Sequence, residues 1–109
     1  MKNEMILRKM IGYIDTILLY TKDVNYEGFI ENKMMVEACV FNLSQIGELV
    51  NKLEQNYVLA NPGIPWFKIR GLRNRIVHDY EGVNLKLIWQ IISKDLRILR
   101  KQLQGLING

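Results

Sequence analysis

Histidine and cysteine occur once each in the 109 residues, as His78 and Cys39, and proline only twice. A single cysteine leaves no intramolecular disulfide and no cysteine-based zinc site, and it suits a reducing compartment. Cys39 falls on a mostly apolar helical stripe, where a thiol serves as a small buried side chain rather than a nucleophile. Two prolines, with no Ser/Pro or Gly/Ser tract, give no linker or low-complexity segment. No apolar run approaches the ~20 residues that a membrane span needs. Near the N-terminus Arg8, Lys9 and Asp15 interrupt what would be the apolar core of a signal peptide. A cytoplasmic protein with one domain over residues 1–109 is the expectation.

Acidic residues are also scarce, but in one half only. Residues 1–55 carry 6 basic and 8 acidic side chains, whereas residues 56–109 carry 9 and 3. The formal net charge of +4 is therefore concentrated in the second half. That half either meets an anionic partner or presents a merely solvated basic face.

What is present is helical periodicity. Ile6, Leu7, Met10, Ile11, Ile14, Ile17 and Leu18 recur at spacings of three and four and predict a helix over Glu4 to Tyr20. Asp23, Asn25 and Gly28 mark a break. A second stripe (Val36, Cys39, Val40, Leu43, Ile46, Val50, Leu53) predicts a helix from about Phe29 to Leu53. Gly47 inside it costs ~1 kcal/mol relative to Ala, which a close approach of another helix or backbone would explain, as would chance. Asn61-Pro62-Gly63 is a turn, and Pro65 suits the first turn of a third helix reaching His78. A loop follows over residues 79–83. Asn84 is then an N-cap for a last helix that turns Leu85, Ile88, Ile91, Ile92, Leu99 and Leu103 inward and ends at Gly105. Nothing reads as a strand. The fold class is all-α, an antiparallel four-helix bundle.

The third helix is the informative one. Between Trp66 and His78 it has four basic residues and no acid. At ~100° per residue, Pro65, Ile69, Leu72 and Ile76 share the face that packs into the bundle. Phe67, Arg70, Asn74, Val77 and His78 share another, with Arg73 at its margin. A face mixing aromatic, aliphatic, guanidinium, amide and imidazole groups suits a subunit interface or a ligand cleft. His78 titrates near neutrality and can serve as general acid or base; the blander reading is a solvated histidine at the last carbonyls of its helix. Arg73 and His78 project about 140° apart on an ideal helix. Either the helix loosens at its end or a second copy supplies the missing half. Phe67 and Val77 make a C2 pairing across a basic groove plausible.

Arg73-Asn74-Arg75-Ile76-Val77-His78-Asp79-Tyr80 reads R-x4-H-x-Y with a polar residue after the arginine. This resembles the signature of HEPN-superfamily ribonucleases, in particular the HepT-like toxins of prokaryotic toxin–antitoxin pairs. The flanks resemble them too: Ile46-Gly47-Glu48, Ile64-Pro65-Trp66, Gly71-Leu72, and Val83-Asn84 followed by Ile88-Trp89. Asn84 departs from an aspartate that is more usual there, and both residues cap helices. The resemblance runs from the first helix to Leu103.

The resemblance implies a metal-independent, cofactor-free endoribonuclease of a type VII-like toxin–antitoxin system. It would act as a homodimer with two R-x4-H motifs lining one cleft in an HEPN-like bundle. His78 is then the general acid or base and Arg73 the phosphate partner, with Asn74 and Arg70 orienting the substrate. Tyr80 is implied as the site to which an MNT-type nucleotidyltransferase antitoxin adds AMP; its plain alternative is a half-buried loop aromatic. Two other functions remain open: a non-catalytic module that dimerises and docks a nucleotidyltransferase, and a sequence-independent RNA binder. Trp66 and Trp89 could stack on bases but suit the core, and the methionines suit core or interface. Lys94, Arg97, Arg100 and Lys101 could track a phosphate backbone but suit a solvated face. Glu48 could partner an arginine but suits solubility.

Overall fold

The computed structural model describes residues 2–76 and 84–109, and among them every regular element is helical. Helix α1 (Lys2–Tyr20) follows its stripe: Ile6, Leu7, Met10, Ile11, Ile14 and Ile17 are all buried. Asp23 turns the chain at φ 60°, a region that Asp tolerates better than most residues. The Asn25 side chain then accepts from the Gly28 amide at 2.8 Å and caps the next helix.

The long second helix expected over Phe29 to Leu53 is divided into α2 (Tyr26–Glu31) and α3 (Lys33–Val50). Asn32 is the reason. Its backbone is extended (φ −106°, ψ 90°), and its side chain accepts from the Met35 amide at 3.0 Å. A side chain that bonds forward to the main chain competes with continued helix and makes a good N-cap. Past α3, Leu53 is buried as expected. A further short helix, α4 (Gln55–Ala60), precedes the Asn61 turn, too brief for periodicity to mark. Its start is tied to α1: the Asn3 side chain donates to the Glu54 carboxylate at 2.9 Å and accepts from the Glu54 amide at 3.1 Å.

The third helix is also divided, into α5 (Trp66–Arg70) and α6 (Leu72–Ile76). Its expected end at His78 and the loop over residues 79–83 lie outside the described residues. Pro65 does not join the buried face. It stands exposed at the N-cap position with ψ 62°, a non-helical value, and Trp66 takes the inward place beside Ile69, Leu72 and Ile76.

In the last helix Asn84 is the N-cap, accepting from the Leu87 amide at 3.1 Å ahead of α7 (Leu85–Gln90). Residues Ile91–Asp95 form one π turn, closed by the Leu96 amide reaching back to the Ile91 carbonyl. It leads into α8 (Leu96–Asn108). Ile91, Ile92 and Leu96 are all buried across this turn. Gly105 does not end α8: the helix runs on to Asn108, because Leu106 and Ile107 still pack against the core.

The rods enclose one buried cluster. α1 packs on α3 and α8, α3 packs on α5 and α6, and α2 packs on α7. Phe29 is fully buried with its ring centroid 5.1 Å from that of Trp89, which places Trp89 against the core. Cys39 is also fully buried, and burial pushes its thiol up to about 11. Only the thiolate is nucleophilic. Native protein at neutral pH should therefore leave a disulfide reagent such as DTNB unreacted, with one thiol appearing on addition of denaturant. Prompt reaction without denaturant would contradict this burial.

Candidate active site

The basic run stands on α5 and α6, and three local features place it. Trp66 anchors the start: it is buried, and its indole N–H donates to the Asn61 carbonyl at 2.9 Å. A tryptophan with its polar edge satisfied can be buried in full. Gly71 makes the joint. Its φ of −88° and ψ of 8° leave the helical range, yet its amide still donates to the Phe67 carbonyl at 3.2 Å. The Arg75 amide in turn reaches the Gly71 carbonyl at 3.0 Å, so hydrogen bonding runs through the joint.

Gly47 of α3 supplies the third feature, the floor. A Cβ built there would lie 2.8 Å from the Ile69 carbonyl oxygen and 3.4 Å from that of Arg70. The two backbones touch where no other residue fits, which is the close approach that a mid-helix glycine suggests.

With Ile69, Leu72 and Ile76 buried beneath them, Arg70, Arg73, Asn74 and Arg75 are all exposed. Arg73, which ideal helical geometry sets at the margin of the core, projects into solvent with them. Arg70 ends α5, and Arg73 and Asn74 lie within α6. The predicted site residues His78 and Tyr80 lie outside the described residues. The chain nevertheless leaves and rejoins the described structure at one place: the Asn84 amide donates to the Ile76 carbonyl at 3.0 Å.

Phe67 precedes Arg70 by one turn and is 84% exposed. Beside it a groove of about 680 Å³ lies between α4 and α5, lined by residues that include Leu59, Pro62, Phe67 and Arg70. Its α4 wall is a feature that the sequence reading missed. The only signal for it is the short run Tyr57-Val58-Leu59 between Leu53 and the Asn61 turn.

Elsewhere, Arg100 is not a free cation. Its Nε donates to Asp15 at 2.6 Å and its Nη2 at 3.1 Å, a two-point pairing that raises its pKa. Glu48 is exposed on α3. Among the described residues, no three His, Cys, Asp or Glu side chains gather where a metal ion could sit. No described helix is long and apolar enough to cross a membrane.

The family model for the HepT-like ribonucleases matches residues 10–106, a span that contains the whole basic run. The chain belongs to the ribonuclease HepT-like family. Three relatives are each named as a candidate rather than an established ribonuclease. An RNase of Methanocaldococcus jannaschii is 32% identical over 101 residues, covering 93% of this chain and 87% of its own. An RNase of Caldanaerobacter subterraneus subsp. tengcongensis is 33% identical over 101 residues, covering 93% and 90%. A ribonuclease HepT of Thermococcus cleftensis is 26% identical over 93 residues, covering 85% and 84%. No solved structure gives a significant match.

Membership of the HepT-like family makes the chain a ribonuclease with RNA as substrate, and the chemistry of the run agrees. An exposed guanidinium presents a planar fork of donors that two phosphate oxygens can share. Four cations with no acid from Trp66 to Ile76 favour a polyanion wherever it lies along α5 and α6.

Proposed function

We propose that the chain is a metal-independent endoribonuclease that works as a homodimer and forms the toxin half of a type VII-like toxin–antitoxin pair. The observation that carries this reading is the exposed, acid-free set Arg70, Arg73, Asn74 and Arg75, held on two short helices pinned to the core. RNA brings its own nucleophile, the 2′-OH. The protein has only to move protons and hold charge on the phosphate. The 2′-oxygen attacks phosphorus, the P–O5′ bond breaks, and the products are a 2′,3′-cyclic phosphate and a 5′-OH. Arg73 takes the non-bridging oxygens, Asn74 and Arg70 orient the strand, and His78 removes or delivers the proton.

A dimer supports this division of labour, because a second copy adds a second His78 to the same cleft. Met34 and Phe41 are both exposed on α3, the helix on which α5 and α6 pack. Seven residues apart, they share one side of that helix and offer a second copy an apolar patch. Tyr80 is the regulatory position in this reading. An MNT-type nucleotidyltransferase antitoxin adds AMP there, and a bulky anion two residues from His78 repels RNA and fills the cleft. The toxin would act in the cytoplasm, where its RNA is.

The test is cleavage of RNA in excess chelator, with the product ends identified by mass. Cyclic phosphate and 5′-OH ends are expected, and full dependence on a divalent ion would overturn the mechanism. Intact mass after co-expression with an MNT-type nucleotidyltransferase should show AMP on the Tyr80 peptide. An unmodified Tyr80 in a neutralised pair would sink the regulatory half.

A further inference from the structure

The groove between α4 and α5 has no part in the proton chemistry, yet it adjoins the arginine run through Arg70, which lines it. Phe67 stands at its edge with 84% of its surface in solvent, an unusual place for a phenyl ring on a helix otherwise pinned to the core. The exposure follows from Trp66: with the indole turned inward, the next side chain along the helix must turn away. We propose that this groove is a nucleobase subsite, in which Phe67 stacks on an unpaired base of the RNA next to the one that is cut.

Four observations point to a nucleotide as the occupant. Volume comes first, since about 680 Å³ lies within the range of small-ligand sites. Charge is the second: among the described residues, Arg70 is the one charged residue lining the groove, and no acid lines it. The third is continuity. Phe67 and Arg70 both line the groove, and the chain passes from Arg70 through Gly71 to Arg73 on the next helix. A base on Phe67 therefore has Arg70 beside it for its phosphate, with Arg73 further along the run. Fourth, Asn51 and Gln55 are among the lining residues, and a side-chain amide can both donate to and accept from a base edge.

A second copy of the chain fits less well. The exposed apolar patch offered to it is Met34 and Phe41 on α3, and neither residue lines this groove. A nucleotide brings the missing negative charge with it. The substrate class that follows is single-stranded RNA, because only an unpaired base has a free face to stack.

This subsite rests on the ribonuclease reading, so its test is arranged to fail separately. The probe is a short fluorescent oligoadenylate with 2′-O-methyl groups, which has no 2′-OH to attack and stays intact on the wild-type protein. Fluorescence anisotropy should show Phe67→Ala binding it roughly tenfold more weakly. Phe67→Tyr should bind as wild type, and Phe67→Leu should be as weak as the alanine variant. With cleavable RNA the loss should appear in KM. The same oligonucleotide in a duplex should not distinguish the variants.

Leucine binding as tightly as phenylalanine would overturn the proposal, since an apolar contact would then suffice. So would loss of the dimer in Phe67→Ala by sedimentation, which would give Phe67 to the second copy. If the wild type cuts cleavable RNA while all variants bind alike, the subsite alone falls. If the wild type cuts nothing but the aromatic pattern holds in binding, the ribonuclease reading falls and the subsite stands.

Discussion

His78→Ala should reduce RNA cleavage by at least about two orders of magnitude, the lower end of what a positioned general acid or base contributes. Arg73→Ala should cost a similar factor, about 10²–10³, because it removes the donor that holds charge on the phosphate. The two losses should not multiply. Once either group is gone the other has no organised step to assist, so the double variant should sit near the weaker single one. Arg73→Lys separates charge from shape: it keeps the cation but loses the two-point fork, and should recover only part of the rate. The variants should melt with the wild type where Arg73 is concerned, since that side chain is exposed and the packing beneath it comes from Leu72 and Ile76. Initial rates on a fluorescent RNA, with thermal melting alongside, decide the matter. Unchanged cleavage in both alanine variants, purified identically, would remove the R-x4-H motif from the chemistry.

The core was legible in the sequence because its signal is spread over many residues. Every apolar position of the stripe from Ile6 to Ile17 is buried, and Val36, Leu43, Ile46 and Val50 behave in the same way. A helix face is over-determined by six or seven side chains, so one exception does not hide it. Breaks are different, since each depends on one residue. Asn32 divides the second helix through a single side-chain bond to Met35, and asparagine within an apolar period does not announce whether it will bond forward or face solvent. The π turn at Ile91–Asp95 is equally silent, because inserting one residue leaves the three-and-four spacing readable on either side. Gly105 misled for a related reason: glycine permits a helix to stop but does not require it, and Leu106 and Ile107 had core to reach.

The candidate site is legible only as a motif. R-x4-H-x-Y names residue types and an order, which is enough for the family and not enough for a geometry. The structure adds what order cannot: Arg70, Arg73 and Asn74 are exposed together, and α4, which no pattern announced, walls the groove beside Phe67. Gly47 connects the two kinds of information. In the sequence it is a mid-helix cost that needs a reason; in the fold it is where the carbonyls of α5 rest on α3.

Gly47→Ala should therefore destabilise the protein, against the usual direction for glycine in a helix. In an unobstructed helix interior the change to alanine gains ~1 kcal/mol. Gly12, exposed in the middle of α1 with nothing within 4 Å of a built Cβ, is the control and should follow that rule. At Gly47 the new methyl meets the Ile69 carbonyl oxygen at 2.8 Å. Backbone has no rotamer by which to move aside, so α5 must shift as a unit. Overpacking of this kind costs ~1–3 kcal/mol, enough to cancel the propensity gain at the low end and to lower Tm by several degrees at the high end. Activity should fall further than stability. α5 ends at Arg70 and passes through Gly71 to Arg73, and a displacement of about 1 Å at a reacting centre can cost about 10²-fold. Cleavage measured well below the lowered Tm, where the variant is folded, separates that displacement from simple unfolding. Equal gains in Tm for Gly12→Ala and Gly47→Ala would show that α3 and α5 do not touch there, and would leave the arginine run without its floor.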